Sequence, residues 1–175
     1  MLISQAPFNS LHAELHRVKD GLETVLAALA SQREARIRQE AAQALAETRD
    51  PRTVTSLVAA LADEHASVSE NAALSLGRIG DPQAVGPLLA LLQHESATRR
   101  RCAAAALGGI GDPRAVSPLL GTLANDTGIV RLAAARALGE IGDRRAVDPL
   151  VDALGDGDSS IRLAAASALS RIGPR

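Results

Sequence analysis

Leu76-Gly77-Arg78-Ile79-Gly80-Asp81-Pro82 returns as Leu107-Gly108-Gly109-Ile110-Gly111-Asp112-Pro113. It returns again as Leu138-Gly139-Glu140-Ile141-Gly142-Asp143-Arg144, and in part as Leu169-Ser170-Arg171-Ile172-Gly173. Each copy stands 31 residues after the last, and a worn copy at residues 45–51 precedes them by the same step. Self-similarity at this period is the mark of a stacked repeat, in which each unit contacts only its neighbours. The expected fold is therefore all-α, a solenoid of stacked antiparallel helix pairs.

Each unit reads as two helices. In the clearest copy Val130, Ala134, Leu138 and Ile141 step by 4, 4 and 3, which keeps one apolar stripe facing inward. Gly142 follows where a left-handed residue ends a helix, and Asp143 then stands as N-cap of the next. The second helix presents Val147, Leu150, Val151 and Leu154, and the same core recurs as Val85, Leu88, Leu89, Leu92 and as Val116, Leu119, Leu120, Leu123. Gly77, Gly108 and Gly139 lie in the interior of the first helix, where glycine costs about 0.5–1 kcal/mol relative to alanine. A cost repeated at one repeat position points to a steric need, close contact with the adjacent unit.

The pattern Val-Arg-x-x-Ala-Ala-x-Ala-Leu-Gly-x-Ile-Gly-Asp-x-Arg-Ala-Val-x-Pro-Leu, nearly whole at residues 130–150, resembles the short HEAT-like repeat of phycobilin lyase subunits. The resemblance covers about residues 37–175, as four full units and a terminal half unit. It implies a solenoid whose second helices line the concave side. It also implies a range of roles, from scaffolds and adaptors to lyase subunits and designed binders, because fold alone does not assign function.

Composition excludes several function classes. Nineteen Lys and Arg stand against 20 Asp and Glu, so no global field draws the chain to nucleic acid or anionic lipid. One aromatic residue type is present, a single Phe, which leaves no stacking platform for single-stranded nucleic acid. A single cysteine, Cys102, precludes an intramolecular disulfide and suits a reducing compartment; in its alanine-rich helix it reads as a buried inert thiol. Residues 1–8 lack the features of a signal peptide and no stretch approaches a membrane span, so a soluble cytoplasmic protein is expected. Of the four histidines, His12 and His16 are four apart but have no third ligand beyond Glu14, so no metal or other cofactor is expected. No phosphate loop or nucleophile elbow is present, and the chain is expected not to be an enzyme.

Function is then written where the repeats disagree. The outward positions of the second helices carry Gly86, Ala90, Gln93 and His94, then Ser117, Gly121, Ala124 and Asn125, with Asp148 and Asp152 making one end acidic. These residues are the candidate partner-binding groove, lined by side chains small enough for a helix or extended segment to lie against the backbone. Arg99, Leu132 and Leu163 form a secondary set. Arg99 occupies the inward position held by Ile37, Val68, Val130 and Ile161, which requires a shifted helix start, a pairing with Glu70 or Glu95, or a partner-facing role. Leu132 and Leu163 are two leucines in register on adjacent first helices. A column of Arg38, Arg100, Arg131 and Arg162, interrupted by Ser69, reads either as a basic recognition stripe or as a ladder pairing with Asp81, Asp112 and Asp143.

The ends depart from the repeat. Residues 1–8 are expected to be an irregular arm, and residues 9–36 a helical cap. Within the cap, Leu11, Leu15, Val18, Leu22, Val25 and Leu29 follow a coiled-coil seam that suits one long helix. Against it, Asp20-Gly21-Leu22-Glu23 and Ser31-Gln32-Arg33-Glu34 are capping-box patterns that can begin new helices and favour two helices forming a degenerate repeat. The terminal half unit, residues 161–172, invites cover by a partner or a second copy. The expected function is a non-enzymatic protein-interaction scaffold, adaptor or assembly subunit binding a partner protein through the concave groove. The alternative is a phycobilin lyase-like subunit that holds a tetrapyrrole and assists its attachment or removal.

Overall fold

The computed structural model describes residues 21–30, 34–48 and 50–173. The expected arm at residues 1–8, the first part of the cap, and His12 and His16 lie outside the described residues. Ten α-helices alternate in two layers among these residues, with no strand. The even helices are α2 (Ala35–Ala44), α4 (Ala66–Ile79), α6 (Ala97–Ile110), α8 (Gly128–Ile141) and α10 (Ser159–Ile172). The odd helices are α1 (Gly21–Ala30), α3 (Pro51–Ala60), α5 (Val85–Leu91), α7 (Val116–Asn125) and α9 (Val147–Ala153).

The repeated heptapeptide builds the corner between the layers. Gly80, Gly111 and Gly142 end the even helices at φ of 74°, 75° and 74°, the left-handed conformation that admits glycine at no steric cost. Asp81, Asp112 and Asp143 then accept a hydrogen bond from the backbone N–H two residues on, at 2.8–2.9 Å. A single turn of 3-10 helix follows (Pro82–Ala84, Pro113–Ala115, Arg144–Ala146) before the odd helix settles into α geometry. Asp50 caps α3 in the same way. At α2 the N-cap is Glu34, whose side chain makes no capping bond, and Ser31-Gln32-Arg33 of the expected capping box lie outside the described residues.

The core is continuous. Leu45, Leu76, Leu107 and Leu138 of the even layer and Leu57, Leu88, Leu119 and Leu150 of the odd layer are fully buried. Burying one such side chain stabilises the fold by about 1.5–3 kcal/mol. α1 packs on α2 and α3, and its Leu22, Val25, Leu26 and Leu29 repeat the spacing of Val54, Leu57, Val58 and Leu61. Among the described residues no odd helix follows α10, and Val151 and Leu154, expected to face inward, are 49% and 41% exposed.

The interior glycines set the spacing of the even layer. A Cβ on Gly77 would stand 2.7 Å from Ala106 Cα, one on Gly108 2.7 Å from Ala137 Cα, and one on Gly139 2.6 Å from Ala168 Cα. Backbone meets backbone at each step. In the first step the small residue is Ser75, whose buried hydroxyl donates to the Ala42 carbonyl of α2 at 2.8 Å.

Candidate interaction surface

The arginine column is structural, and its partners differ from the expected ones. Arg38 forms a two-pronged pair with Asp63 (2.7 and 3.0 Å), Arg100 does the same with Asp126 (2.8 and 2.6 Å), and Arg131 bonds Asp156. Each carboxylate sits in the loop between an odd helix and the next even helix. Asp112 and Asp143 pair locally instead, with Arg114 and Arg145 two residues on, because their caps hold them beside those side chains. The guanidinium of Arg114 also reaches Pro82 O and that of Arg145 reaches Pro113 O, each at 3.1 Å, which ties one corner to the preceding one.

These contacts govern the ionisation of the carboxylates. The Arg145 side chain and backbone N–H hold Asp143 down at about 2. Arg114 lowers Asp112 in the same way, and the guanidinium bonds of Arg38 and Arg100 lower Asp63 and Asp126. Burial pushes the Cys102 thiol up, so the thiolate needed of a nucleophile is disfavoured.

Arg99 belongs to this network rather than to a free surface. Its helix starts in register, capped by Ser96, and Thr98 is exposed. The guanidinium lies 3.2 Å from His94 Nε2 and donates to Asp63 O at 3.0 Å and Glu64 O at 3.4 Å; neither Glu70 nor Glu95 takes it as a carboxylate partner. His94 is engaged on its other side too, where Nδ1 accepts the Ser96 N–H at 3.0 Å. Its half-buried ring is therefore part of the inter-helix loop, not of the groove.

The remaining groove residues lie on α5, α7 and α9, or, for Gln93, just after α5. Gly86, Ala90, Gln93, Ser117, Gly121, Ala124, Asn125, Asp148 and Asp152 are all exposed. A Cβ placed on Gly86 or Gly121 meets nothing within 4 Å, so both open directly to space. Asn125 Nδ2 donates to Gly121 O at 3.1 Å and fixes the end of α7. The secondary set separates: Leu163 is 69% exposed, whereas Leu132 is half-buried and packs against the core.

Two features escaped the sequence reading. One is the pairing of the arginine column with the loop aspartates Asp63, Asp126 and Asp156, of which Asp63 and Asp156 read from the sequence as outward residues of the second helices. The other is a depression of about 260 Å³ between α6 and α8, on the outer side of the even layer. Among the described residues no group of three or more His, Cys, Asp or Glu is placed to hold a metal ion. No helix among them is long and apolar enough to cross a membrane.

The HEAT-repeat profile matches residues 54–131 and 122–175, well over half of the chain. The chain belongs to the HEAT-repeat family. A second profile, the PBS lyase HEAT-like repeat, matches residues 37–63 of this HEAT-repeat chain. Among solved structures it is similar to the complex of CpcE and CpcF of phycocyanin lyase from Nostoc sp. PCC7120, at 27% identity and a TM-score of 0.76. That match covers 86% of this chain and 64% of the other, so the HEAT-repeat chain spans less than two thirds of that relative. An engineered protein matches at 26% identity and TM-score 0.64, covering 86% of this chain and 78% of the other. A designed armadillo repeat protein in complex with the peptide (KR)4 matches at 17% identity and TM-score 0.73 over 97% and 92% of the two chains, which speaks for the fold alone. None of the curated proteins matches the chain.

Proposed function

We propose that the chain is a non-enzymatic scaffold or assembly subunit that binds a partner protein along the exposed face of α5, α7 and α9. The observation that carries this reading is the open backbone at Gly86 and Gly121, flanked by exposed Ala90, Ser117 and Ala124. A partner segment laid there reaches main chain without displacing a side chain, and Asp148 and Asp152 select for positive charge at one end. The bare Val151 and Leu154 beside α10 offer a further apolar contact to the same partner or to a second copy.

The test uses affinity capture from the native host followed by mass spectrometry, with Gly86→Leu and Gly121→Leu as blocking variants. Both positions open to space, so added bulk obstructs a partner without disturbing the helices. Leu163→Gln is the control on the even layer. Loss of the captured protein in the glycine variants and retention in the control is expected. Retention in both glycine variants with loss in Leu163→Gln places the working surface on the even helices.

A second reading is favoured by the likeness to the phycocyanin lyase complex: a lyase-like subunit that holds a tetrapyrrole and assists its transfer. With no Trp or Tyr the chain is nearly transparent in the near ultraviolet, so a bilin absorbance titration reads binding directly. A saturable red shift on addition of stoichiometric protein supports this reading, and an unaltered bilin spectrum removes it.

A further inference from the structure

We propose that the outer side of α6 and α8 is a second docking surface, for a partner segment that presents a carboxylate beside a leucine-sized side chain. The even helices carry a ridge whose register is set by the 31-residue repeat. One ridge position holds Leu74, Arg136 and Ser167 but Ala105 in α6; the next holds Arg78, Glu140 and Arg171 but Gly109 in α6. Two missing side chains leave the depression of about 260 Å³, floored by Ala105, Leu132 and Ala137. Ile129, 52% exposed, stands at its edge where the corresponding residues are Ser67, Thr98 and Ser160.

Charge decides what fits. Arg101 and Arg136 both line this depression, and neither donates to an oxygen among the described residues; the contact of Arg101 is Cys102 Sγ at 3.4 Å. Most other described arginines, by contrast, already hold a carboxylate or a carbonyl. One carboxylate, Glu140, also lines the site: it leans across to α6 beside Gly108, its other oxygen is 3.9 Å from Arg171, and it takes no hydrogen bond from Arg101 or Arg136 among the described residues. Two guanidiniums over an apolar floor therefore await a carboxylate, which arginine binds in a charge-assisted, two-pronged geometry. A leucine-sized side chain on the same segment fills the floor and removes Ile129 from water. Nucleic acid is the poorer match, because no aromatic ring lies on this surface to stack a base.

The test is fluorescence anisotropy with a short labelled amphipathic peptide of Leu, Glu and Ala, beside the same peptide with Gln in place of Glu. Saturable binding is expected for the Glu peptide, weakened about tenfold or more in the Gln peptide and in Arg136→Glu, with Arg136→Lys intermediate. Arg136 is exposed, so its thermal melt should match that of the unaltered chain and confirm folding. Gly121→Leu, on the opposite layer, should bind the Glu peptide normally, which separates this surface from the groove. The proposal is overturned if the Glu peptide does not bind, if the Gln peptide binds equally, or if Arg136→Glu binds unchanged. It is equally overturned if Gly121→Leu alone abolishes binding, or if a short oligouridylate binds in place of the peptide and is lost in Arg136→Glu.

Discussion

Arg99 donates to the carbonyl oxygens of Asp63 and Glu64, and so occupies the acceptors that an arginine at Ser69 would take. The template for that missing contact is within the chain. Arg100 donates to His94 O and Glu95 O, and Arg162 donates to Asp156 O and Gly157 O, at the equivalent repeat positions. The second unit has lost both members of the recurring pair, with Ser69 in place of arginine and His94 in place of aspartate. The guanidinium has been supplied from one helix further along.

This substitution of one arginine for another predicts a reversal of sign. Ser69→Arg alone brings a second guanidinium to carbonyls already taken by Arg99 and should destabilise the fold by about 1–3 kcal/mol. With Arg99→Val present, the new arginine finds its acceptors free. Residue 99 then buries an apolar side chain where Val68, Val130 and Ile161 are fully buried. Ser69→Arg should become stabilising in that background, most of all with His94→Asp added to restore the ion pair. Urea midpoints at constant m measure the coupling; additive effects would sink the idea.

The glycines divide into two populations with opposite expected responses to the same substitution. At Gly139 a Cβ lies 2.6 Å from both Ala168 Cα and its Cβ, so Gly139→Ala must push α8 and α10 apart and should cost about 1–3 kcal/mol. At Gly121 the same methyl enters open space and improves helix propensity, a gain of about 0.5–1 kcal/mol. Thermal melts of the two variants should move in opposite directions. A stabilised Gly139→Ala would mean that the even helices are not held at backbone contact.

What was legible in the sequence was what local chemistry repeats at one register. Gly142 in the left-handed conformation, Asp143 as a cap, and Gly139 against the next helix all follow from rules that act within a few residues or at a fixed period. Of the groove, nine positions face outward as the period requires, and only His94 is diverted. The loop aspartates were obscured because their register slips: Asp63 and Asp156 stand 25 residues after their arginines, Asp126 stands 26 after its own, and His94 interrupts the series. Pairing by shared period therefore selected Asp112 and Asp143, whose oxygens are already committed to their own caps. Leu132 was misplaced for a different reason: neighbouring ridges half-cover a position that one helix taken alone would leave outside.

Acid should destabilise the fold in a defined window. Asp50, Asp63, Asp112, Asp126 and Asp143 are all held below the ordinary carboxylate value by guanidinium or backbone N–H donors. In the unfolded chain these aspartates titrate at about 3.9, so the stabilisation is complete above that pH and is lost as pH falls through the folded values, with Asp143 at about 2. Melting temperature should be flat with respect to these groups from neutrality to about pH 5 and fall steeply between about 4 and 2. Asp143→Asn should shrink that fall. A loss of stability centred well above pH 5 would show that groups other than these carboxylates govern the response.

Position along the stack should matter as much as residue type. Leu107 and Leu169 occupy the same place in their repeats, but Leu107 is fully buried in the middle even helix while Leu169 is only half-buried in α10. Leu107→Ala removes apolar contacts with both neighbouring units and leaves a cavity that the close-packed glycine steps on either side prevent from collapsing. Its cost should fall in the range of about 2–5 kcal/mol, because unrelieved cavities add to the lost transfer energy. Leu169→Ala removes the same atoms from a site with one neighbour and partial access to water, and should cost about 1 kcal/mol. The two variants should also differ in kind. Uncoupling the middle of a one-dimensional array broadens its transition, whereas trimming an end lowers the midpoint and leaves the slope intact. Equal midpoints and equal slopes for the two in urea melts would contradict the inward assignment of Leu107 and the nearest-neighbour account of stability together.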